Sequence, residues 1–269
     1  MTSLVPMAGE ATHMPTVFTV LESLFPALGH NSVFQFLHLW ERQVFSLLAI
    51  IGVSLLVIRL SKNLNQRPGK LQNAVEAIIA GFDDFICGFL GKRYGRRFLP
   101  YLGTLFIFIL VNNWMGLVPF LNGATGFWAA TGALAVMTFL LVQYVAMTEL
   151  GPAKYFHHMC GEPEGIGMWL FGIIMLFPIH LIGEFAKPLS LCLRLYGNIF
   201  GEHTLMGVFM GFGVAIAAAL GLGLIPIPLH LPFMFLGILM STIQALIFML
   251  LSMVYILMVL PHDDEEHAH

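Results

Sequence analysis

Seven polar or ionisable residues occur within one short stretch, residues 179–203, that long apolar runs flank on both sides. Holding an arginine in the middle of a bilayer costs from about 3 to more than about 10 kcal/mol, depending on the reference state. Such groups therefore need a partner, a water-filled cavity or an ion path, and ion transfer is the chemistry that they indicate. The seven residues are His180, Glu184, Lys187, Arg194, Asn198, Glu202 and His203.

The spacing of these residues gathers most of them on one side of a helix. At about 100° per residue, six of the seven share an arc of about 80°, and His203 alone points to the opposite side. A pairing of Glu184 with Lys187 inside a helix bundle is the alternative explanation for those two residues. The leucines around Arg194 make a purely structural role the weaker explanation for the arginine.

Composition places the chain among polytopic membrane proteins. Of its 269 residues, 58% are hydrophobic and only 10% are charged, and the mean hydropathy is +0.85. We therefore expect an all-α membrane protein rather than a soluble domain. The three cysteines stand singly and show neither a disulfide framework nor metal-ligand spacing. His157 and His158 do not suit a metal, because adjacent histidines point apart on a helix. No metal and no other cofactor is expected.

Apolar periodicity predicts about five spanning helices and one surface helix. An amphipathic helix over residues 71–90 is expected to lie on the membrane surface. The last two predicted spans are too long to stand upright in a hydrocarbon core of about 30 Å. We therefore expect both to be tilted, and the first of them to kink at Pro178 and Pro188. The predicted spans are residues 44–60, 98–120, 127–147, 168–222 and 232–260.

The distribution of positive charge predicts the orientation. Eight of the twelve basic residues lie between Arg59 and Arg97, which places this segment in the cytoplasm. The N-terminal segment, residues 1–40, is then extracytoplasmic; it shows no signal-peptide pattern and has a short apolar helix expected at residues 16–28. The acidic tail, residues 261–269, is then cytoplasmic.

Four blocks of the sequence resemble subunit a of the F-type ATP synthases. The most specific block is Pro188–Glu202, which contains Arg-Leu-Tyr-Gly-Asn, and the second is Ile243–Tyr255. Asn112–Pro119 and Phe235–Ile238 are further matches. The resemblance covers nearly the whole chain from about Glu41 onward.

The resemblance implies a stator that carries protons between a rotating ring of c subunits and two offset half-channels. It also implies the peripheral-stalk subunit b and the rest of the ATP synthase as partners, and a bacterial inner membrane as the location. Such a subunit is no enzyme by itself, and this chain has no Gly-rich phosphate loop ending in Gly-Lys-Ser/Thr. The carboxylate site of the ring, in another subunit, sets the coupling ion, so this sequence does not decide between proton and sodium, and the proton is taken as the default.

The resemblance also assigns roles to individual residues. The arginine of the specific block is essential in the family, so its role passes to Arg194, while Asn198 and Gln244 are expected to line or support the path. A guanidinium that always stays charged would favour the ionised form of each incoming rotor carboxylate. It would also make a direct proton leak unfavourable.

Two positions depart from the family pattern. The acidic or histidine residue expected nine positions after the arginine is His203, whereas Glu202 stands at plus eight. Either residue can be the relay, and we favour Glu202 because it shares the face of Arg194. Gly237 stands where some members have a histidine. His180 and Glu184 lie where members vary in placing a polar pair, and we expect them to belong to the path as well.

Two other function classes fit the sequence less well. A stand-alone ion channel or transporter could also use an intramembrane Arg/Glu stripe, although the chain shows no internal repeat of the kind that inverted-repeat transporters have. A haem redox enzyme needs paired histidines on facing spans. Here His180 and His203 share one segment, and His230 lies in a turn.

Overall fold

The structure is a computed structural model of the 269-residue chain. It describes residues 25, 32–62, 69–118, 121, 123–161, 165–221 and 228–260. The short helix expected at residues 16–28, residue 25 apart, and the acidic tail at residues 261–269 lie outside the described residues.

Every regular element in these described ranges is helical, which confirms the predicted all-α fold. Five of the helical segments are long and apolar enough to cross a membrane, as expected of a polytopic membrane protein. A short 3₁₀ turn, Ala124–Gly126, precedes α4. The α-helices are α1 (Ser32–Leu39), α2 (Glu41–Lys62), α3 (Lys70–Leu117), α4 (Trp128–Glu149), α5 (Pro152–Met159), α6 (Ile166–Phe171), α7 (Phe177–Ala219) and α8 (Leu231–Leu257).

Helix α3 contains both the expected surface helix and the following span, with a break between them. Gly91 has φ 74° and ψ 161°, a conformation that glycine adopts without steric cost and that interrupts helical geometry. The break falls one residue after the predicted end of the surface helix at residue 90. The helix resumes at once, so Lys92–Arg97 is itself helical.

The long segment predicted over residues 168–222 is divided into α6, a π-helical turn at Gly172–Leu176, and α7. Helix α7 continues through both Pro178 and Pro188, where kinks were expected. In an α-helix, the ring of Pro178 would clash with the carbonyl group four residues earlier. That carbonyl belongs to the wider π turn, which leaves room for the ring.

The chain divides into two compact units. The first comprises residues 1–55, 109–126 and 197–244, and the second comprises residues 56–108, 127–196 and 245–269. Helix α7 therefore contributes its N-terminal part to the second unit and its C-terminal part to the first.

The second unit has a buried core formed by α3, α4 and the C-terminal part of α8. Arg97 forms an ion pair with Glu149, and the Tyr94 hydroxyl donates a hydrogen bond of 3.3 Å to the same carboxylate, so α3 is tied to the end of α4. Inside a bilayer, van der Waals packing and interhelical hydrogen bonds, rather than the hydrophobic effect, favour the association of such helices. The buried core residues are Ile86, Leu90, Phe98, Leu102, Val142, Val145, Ala146, Met249, Met253, Ile256, Val259 and Leu260.

Candidate functional site

Arg194 lies near the middle of α7, next to the buried Leu195. Its side chain is exposed, and it makes no hydrogen bond or ion pair with any other residue in the described part of the chain. A guanidinium is charged at every physiological pH. This spanning helix therefore carries a cation whose counter-ion the described residues do not supply.

Lys187, two turns earlier on α7, is in the contrasting situation. Its ammonium group forms an ion pair with Glu184, three residues before it. The ammonium also lies 5.5 Å from the centre of the Tyr255 ring, within the range of a cation–π contact. The charge of Lys187 is thus balanced within the second unit. This is the Glu184–Lys187 pairing that the sequence allowed as an alternative to a role in an ion path.

The Glu184 carboxylate has a further partner on α4. Gln143 Nε2 donates a 3.1 Å hydrogen bond to Glu184 Oε2, while Lys187 donates to Oε1. The Tyr155 hydroxyl on α5 donates a 2.8 Å hydrogen bond to Gln143 Oε1. We call Tyr155, Gln143, Glu184 and Lys187 the Glu184 cluster. Each oxygen of the Glu184 carboxylate accepts one hydrogen bond, and Tyr155 orients the glutamine that donates one of them.

His180 belongs to the same unit and is tied to the segment before it. Its Nδ1 lies 2.9 Å from the carbonyl oxygen of Met159 at the end of α5. The residue is exposed. His180 is therefore tied through Nδ1 to the segment before it and still reaches the surface of the chain.

Glu202 is the polar centre of the first unit. The Ser241 hydroxyl on α8 donates a 3.1 Å hydrogen bond to Glu202 Oε2. Asn113 Nδ2 on α3 donates a 3.3 Å hydrogen bond to the backbone carbonyl of Ser241. The other carboxyl oxygen, Oε1, is buried and has no partner among the described residues. We call Asn113, Ser241 and Glu202 the Glu202 cluster.

The first unit also holds other buried polar atoms that have no partner. In the described part of the chain these are Asn113 Oδ1, Thr125 Oγ1 and Asn198 Nδ2, in addition to Glu202 Oε1. All four belong to the first unit. Because buried polar groups are normally hydrogen-bonded, atoms of this kind are the ones that ordered water satisfies.

The two remaining predicted residues also lie in the first unit. His203 is half-buried, and its Nε2 would lie 3.2 Å from a Cβ atom placed on Gly116 of α3. Gln244 is buried on α8, three residues after Ser241. Asn198, Glu202, His203 and Gln244 therefore fall in one unit, whereas Arg194, Glu184 and His180 fall in the other.

Sequence reasoning gave no role to four residues that the structure connects to the predicted site. Gln143 and Tyr155 complete the Glu184 cluster, and Ser241 and Asn113 complete the Glu202 cluster. Gln143 and Asn113 each gave a signal, since each is an amide side chain inside an apolar span. Tyr155 gave none, because a tyrosine in a connecting segment is ordinary.

Comparison with known proteins agrees with the resemblance found in the specific block. The family model described as "ATP synthase A chain" matches residues 43–257. ATP synthase subunit a of Protochlamydia amoebophila is 36% identical over 262 residues, which cover 97% of this chain and 94% of that protein. The corresponding protein of Geotalea daltonii is 38% identical over 208 residues, covering 77% of this chain and 82% of its own length.

The match also extends to relatives of nearly identical length. ATP synthase subunit a of Nitratidesulfovibrio vulgaris is 34% identical over 263 residues, covering 98% of this chain and all of that protein. The family match and these identities rest on nearly the whole chain rather than on one motif. This chain therefore belongs to the ATP synthase subunit a family.

Proposed function

We propose that this chain is the stator subunit that carries protons past the rotor ring of an F-type ATP synthase, with Arg194 as the essential residue. The observation that supports this most directly is the contrast between the two cations of α7. Glu184 neutralises Lys187 within the chain, whereas Arg194 is exposed and has no counter-ion among the described residues. An exposed, unpaired cation on a spanning helix suits a partner carboxylate that another subunit brings to it.

The chemistry follows from the charge of the guanidinium. A rotor carboxylate that comes to Arg194 is stabilised as an anion and releases its proton. Away from Arg194, the carboxylate lies in lipid, where the charged form is costly, so it takes up a proton before it leaves. The fixed charge also opposes the passage of a proton directly from one half-channel to the other.

The first unit supplies the side chains for one half-channel. With the N-terminus outside, as the basic residues indicate, α7 runs from the cytoplasmic to the outer side, and Glu202 lies on its outer part. Glu202 is the proposed proton relay, and Asn198, Gln244 and His203 line or support the path. Unpartnered buried atoms on Asn113 and Thr125 add two further positions where water could complete a hydrogen-bonded chain.

The cytoplasmic half-channel is proposed to include His180 and Glu184. His180 is exposed and is proposed to face the water of this half-channel. Both oxygens of Glu184 already accept hydrogen bonds within the chain. The proposed contribution of Glu184 is therefore to balance the charge of Lys187 beside the path. Arg194 then remains the one uncompensated cation of the described part of α7.

The wider assembly follows from the same proposal. The c-ring is the partner of the Arg194 face, and subunit b is the partner in the peripheral stalk. The chain has no catalytic role by itself, since it moves ions for catalysis carried out in other subunits. The proposed location is a bacterial inner membrane with the N-terminus outside and the C-terminus in the cytoplasm.

The test uses inverted membrane vesicles that contain the whole ATP synthase with Arg194→Ala. ATP-driven acidification is followed with a quenched fluorescent dye, and ATP hydrolysis and passive proton leak are measured in parallel. We expect pumping to fall by about 100-fold or more, because a fixed charge placed for a developing carboxylate is worth several kcal/mol. Hydrolysis by the peripheral part should persist.

The matched control is Arg96→Ala, which removes an exposed arginine from α3 outside the proposed path. It should pump at the normal rate. Undiminished pumping by Arg194→Ala in fully assembled complexes would contradict the stator role. A proton flux that persists in the purified chain without any ring would instead favour the stand-alone channel.

A further inference from the structure

We propose that Gly237 is a positioning residue for Glu202, because a glycine at this position leaves the space in which the Glu202 carboxyl group lies. This inference rests on the proposed relay role of Glu202 and assigns to α8 the task of fixing the carboxyl group. The backbone of Gly237 bounds this space on one side, and the hydroxyl group of Ser241, one turn later, bounds it on the other.

On one side, the Glu202 carboxyl group occupies the space above the Gly237 backbone. A Cβ atom at this position would overlap Glu202 Oε1 and would lie 3.0 Å from Glu202 Cδ. It would also lie 2.9 Å from Cδ2 of Leu117. Gly237 itself is buried, and the atoms that a new methyl group would meet are the ends of the Glu202 and Leu117 side chains, which would have to shift. Any other residue at position 237 therefore displaces the carboxyl group.

On the other side, the Glu202 carboxyl group accepts a hydrogen bond from Ser241. Its hydroxyl lies 3.1 Å from Glu202 Oε2, and Ser241 is fully buried. Asn113 Nδ2 contacts the backbone carbonyl of Ser241 at 3.3 Å, which ties the same turn of α8 to α3. One carboxyl oxygen is thus held by a donor, and the other is directed at a backbone without a side chain.

This arrangement leaves Oε1 open for proton chemistry. No described residue donates a hydrogen bond to it, although it is buried. A bound proton or a water molecule at Oε1 would satisfy the atom. The glycine therefore leaves the space that Oε1 occupies, and a side chain at position 237 would push the oxygen out of it.

The same glycine is unusual within its helix. It is the only glycine of α8, whose other residues are mostly large and apolar. At two other helical glycines of the first unit, Gly52 and Gly211, a Cβ atom would meet nothing within 4 Å. These two positions are matched controls, because the same Gly→Ala change there adds a methyl group without touching a carboxyl group.

The experiment measures ATP-driven acidification by the whole complex carrying Gly237→Ala. We expect the initial rate to fall by about 10- to 100-fold, because a displacement of about 1 Å of a reacting group can cost that much. Gly52→Ala and Gly211→Ala should pump at the normal rate. The amount of assembled complex and its ATP hydrolysis are measured in every variant.

Two second-site variants separate positioning from a general packing defect. In a Glu202→Ala background, Gly237→Ala should cause no further loss, since the group that it displaces is gone. Adding Glu202→Asp to Gly237→Ala should recover part of the pumping rate, because the shorter side chain draws the carboxyl group back from the new methyl group. If Gly237→Ala prevents assembly, Glu202→Ala should restore assembly for the same reason.

The outcomes that overturn the proposal are distinct. Normal pumping by Gly237→Ala, or an equal further loss in the Glu202→Ala background, would show that Gly237 does not act through Glu202. If Gly237→Ala prevents assembly and the added Glu202→Ala does not restore it, the same conclusion follows. Normal pumping by Glu202→Ala alone would overturn the relay role of Glu202 together with this inference, whereas slow Glu202→Ala with normal Gly237→Ala would overturn this inference only.

Discussion

The Glu184 cluster and the Glu202 cluster each contain one carboxyl group of α7, and the two carboxyl groups differ in how many of their oxygens have a hydrogen-bond partner. In the Glu184 cluster, Lys187 and Gln143 occupy both carboxylate oxygens, and Tyr155 orients the glutamine. In the Glu202 cluster, one oxygen accepts a hydrogen bond from Ser241 and the other is buried without a partner. The first arrangement is electrostatically complete within the chain, and the second is not.

The same contrast separates the two cations of α7. Lys187 has a counter-ion within the chain, whereas Arg194 has none among the described residues. Complete groups stabilise the fold, because opening them would leave a charge unpaired. Incomplete groups are available to a proton, to water or to another subunit. We propose that this difference separates the ionisable residues of α7 that take part in ion movement from those that hold the path in place.

The largest expected effect comes from removing the incomplete carboxyl group with Glu202→Gln. The change keeps the size of the side chain and can keep the bond to Ser241, so assembly should be normal. Pumping should fall by about 100-fold or more, the contribution typical of a positioned proton-transfer group. The initial rate of ATP-driven acidification checks this, and an unchanged rate would remove Glu202 from the path and leave His203 as the candidate relay.

A smaller effect, on stability, is expected from Lys187→Met. This change leaves the Glu184 carboxylate without its cation at a position where the side chain is only 17% exposed. Breaking a buried pair costs about 3–5 kcal/mol, and the partial exposure of this pair should reduce the cost to about 2 kcal/mol. The measurement is the fraction of complex that remains intact after heating in detergent.

The double variant Glu184→Gln/Lys187→Met sharpens the comparison. It removes both charges, so it should recover most of the stability that Lys187→Met loses. Equal stability of the single and double variants would mean that the Glu184 carboxylate does not depend on Lys187.

The smallest effect is expected from Tyr155→Phe. The change removes one hydrogen bond to Gln143, which is worth about 0.5–1.5 kcal/mol. Pumping should stay within about twofold of the normal rate, because the bonds from Gln143 and Lys187 to Glu184 remain and no group of the proposed path is lost. Thermal stability and the acidification rate are measured on the same preparation, and a large loss of pumping with unchanged stability would place Tyr155 in the proton path itself.

The sequence predicted the spanning helices because apolar length is a local signal. Helical spacing placed Arg194, Asn198 and Glu202 on one face, and the roles of these residues stay predictions. The surface helix was predicted to end at residue 90, one residue before the break at Gly91. The position of the irregular turn at Gly172–Leu176 was not predicted, since Pro178 perturbs the backbone before it rather than at its own position.

The completeness of each cluster could not be predicted, because it depends on contacts between distant parts of the chain. Gln143 and Glu184 are 41 residues apart, and Glu202 and Ser241 are 39 residues apart. Periodicity within one helix does not report such contacts. The role of Gly237 was hidden for the same reason: its neighbours in sequence are ordinary apolar residues, and only packing brings it against the Glu202 carboxyl group.

The most direct test of the account compares the two carboxyl groups in one assay. Vesicles with equal amounts of assembled complex carry either Glu202→Gln or the double variant Glu184→Gln/Lys187→Met, and the initial rate of ATP-driven acidification is measured at one pH. The account predicts a loss of about 100-fold for Glu202→Gln and a rate within about twofold of normal for the double variant. A normal rate for Glu202→Gln together with a large loss for the double variant would contradict it.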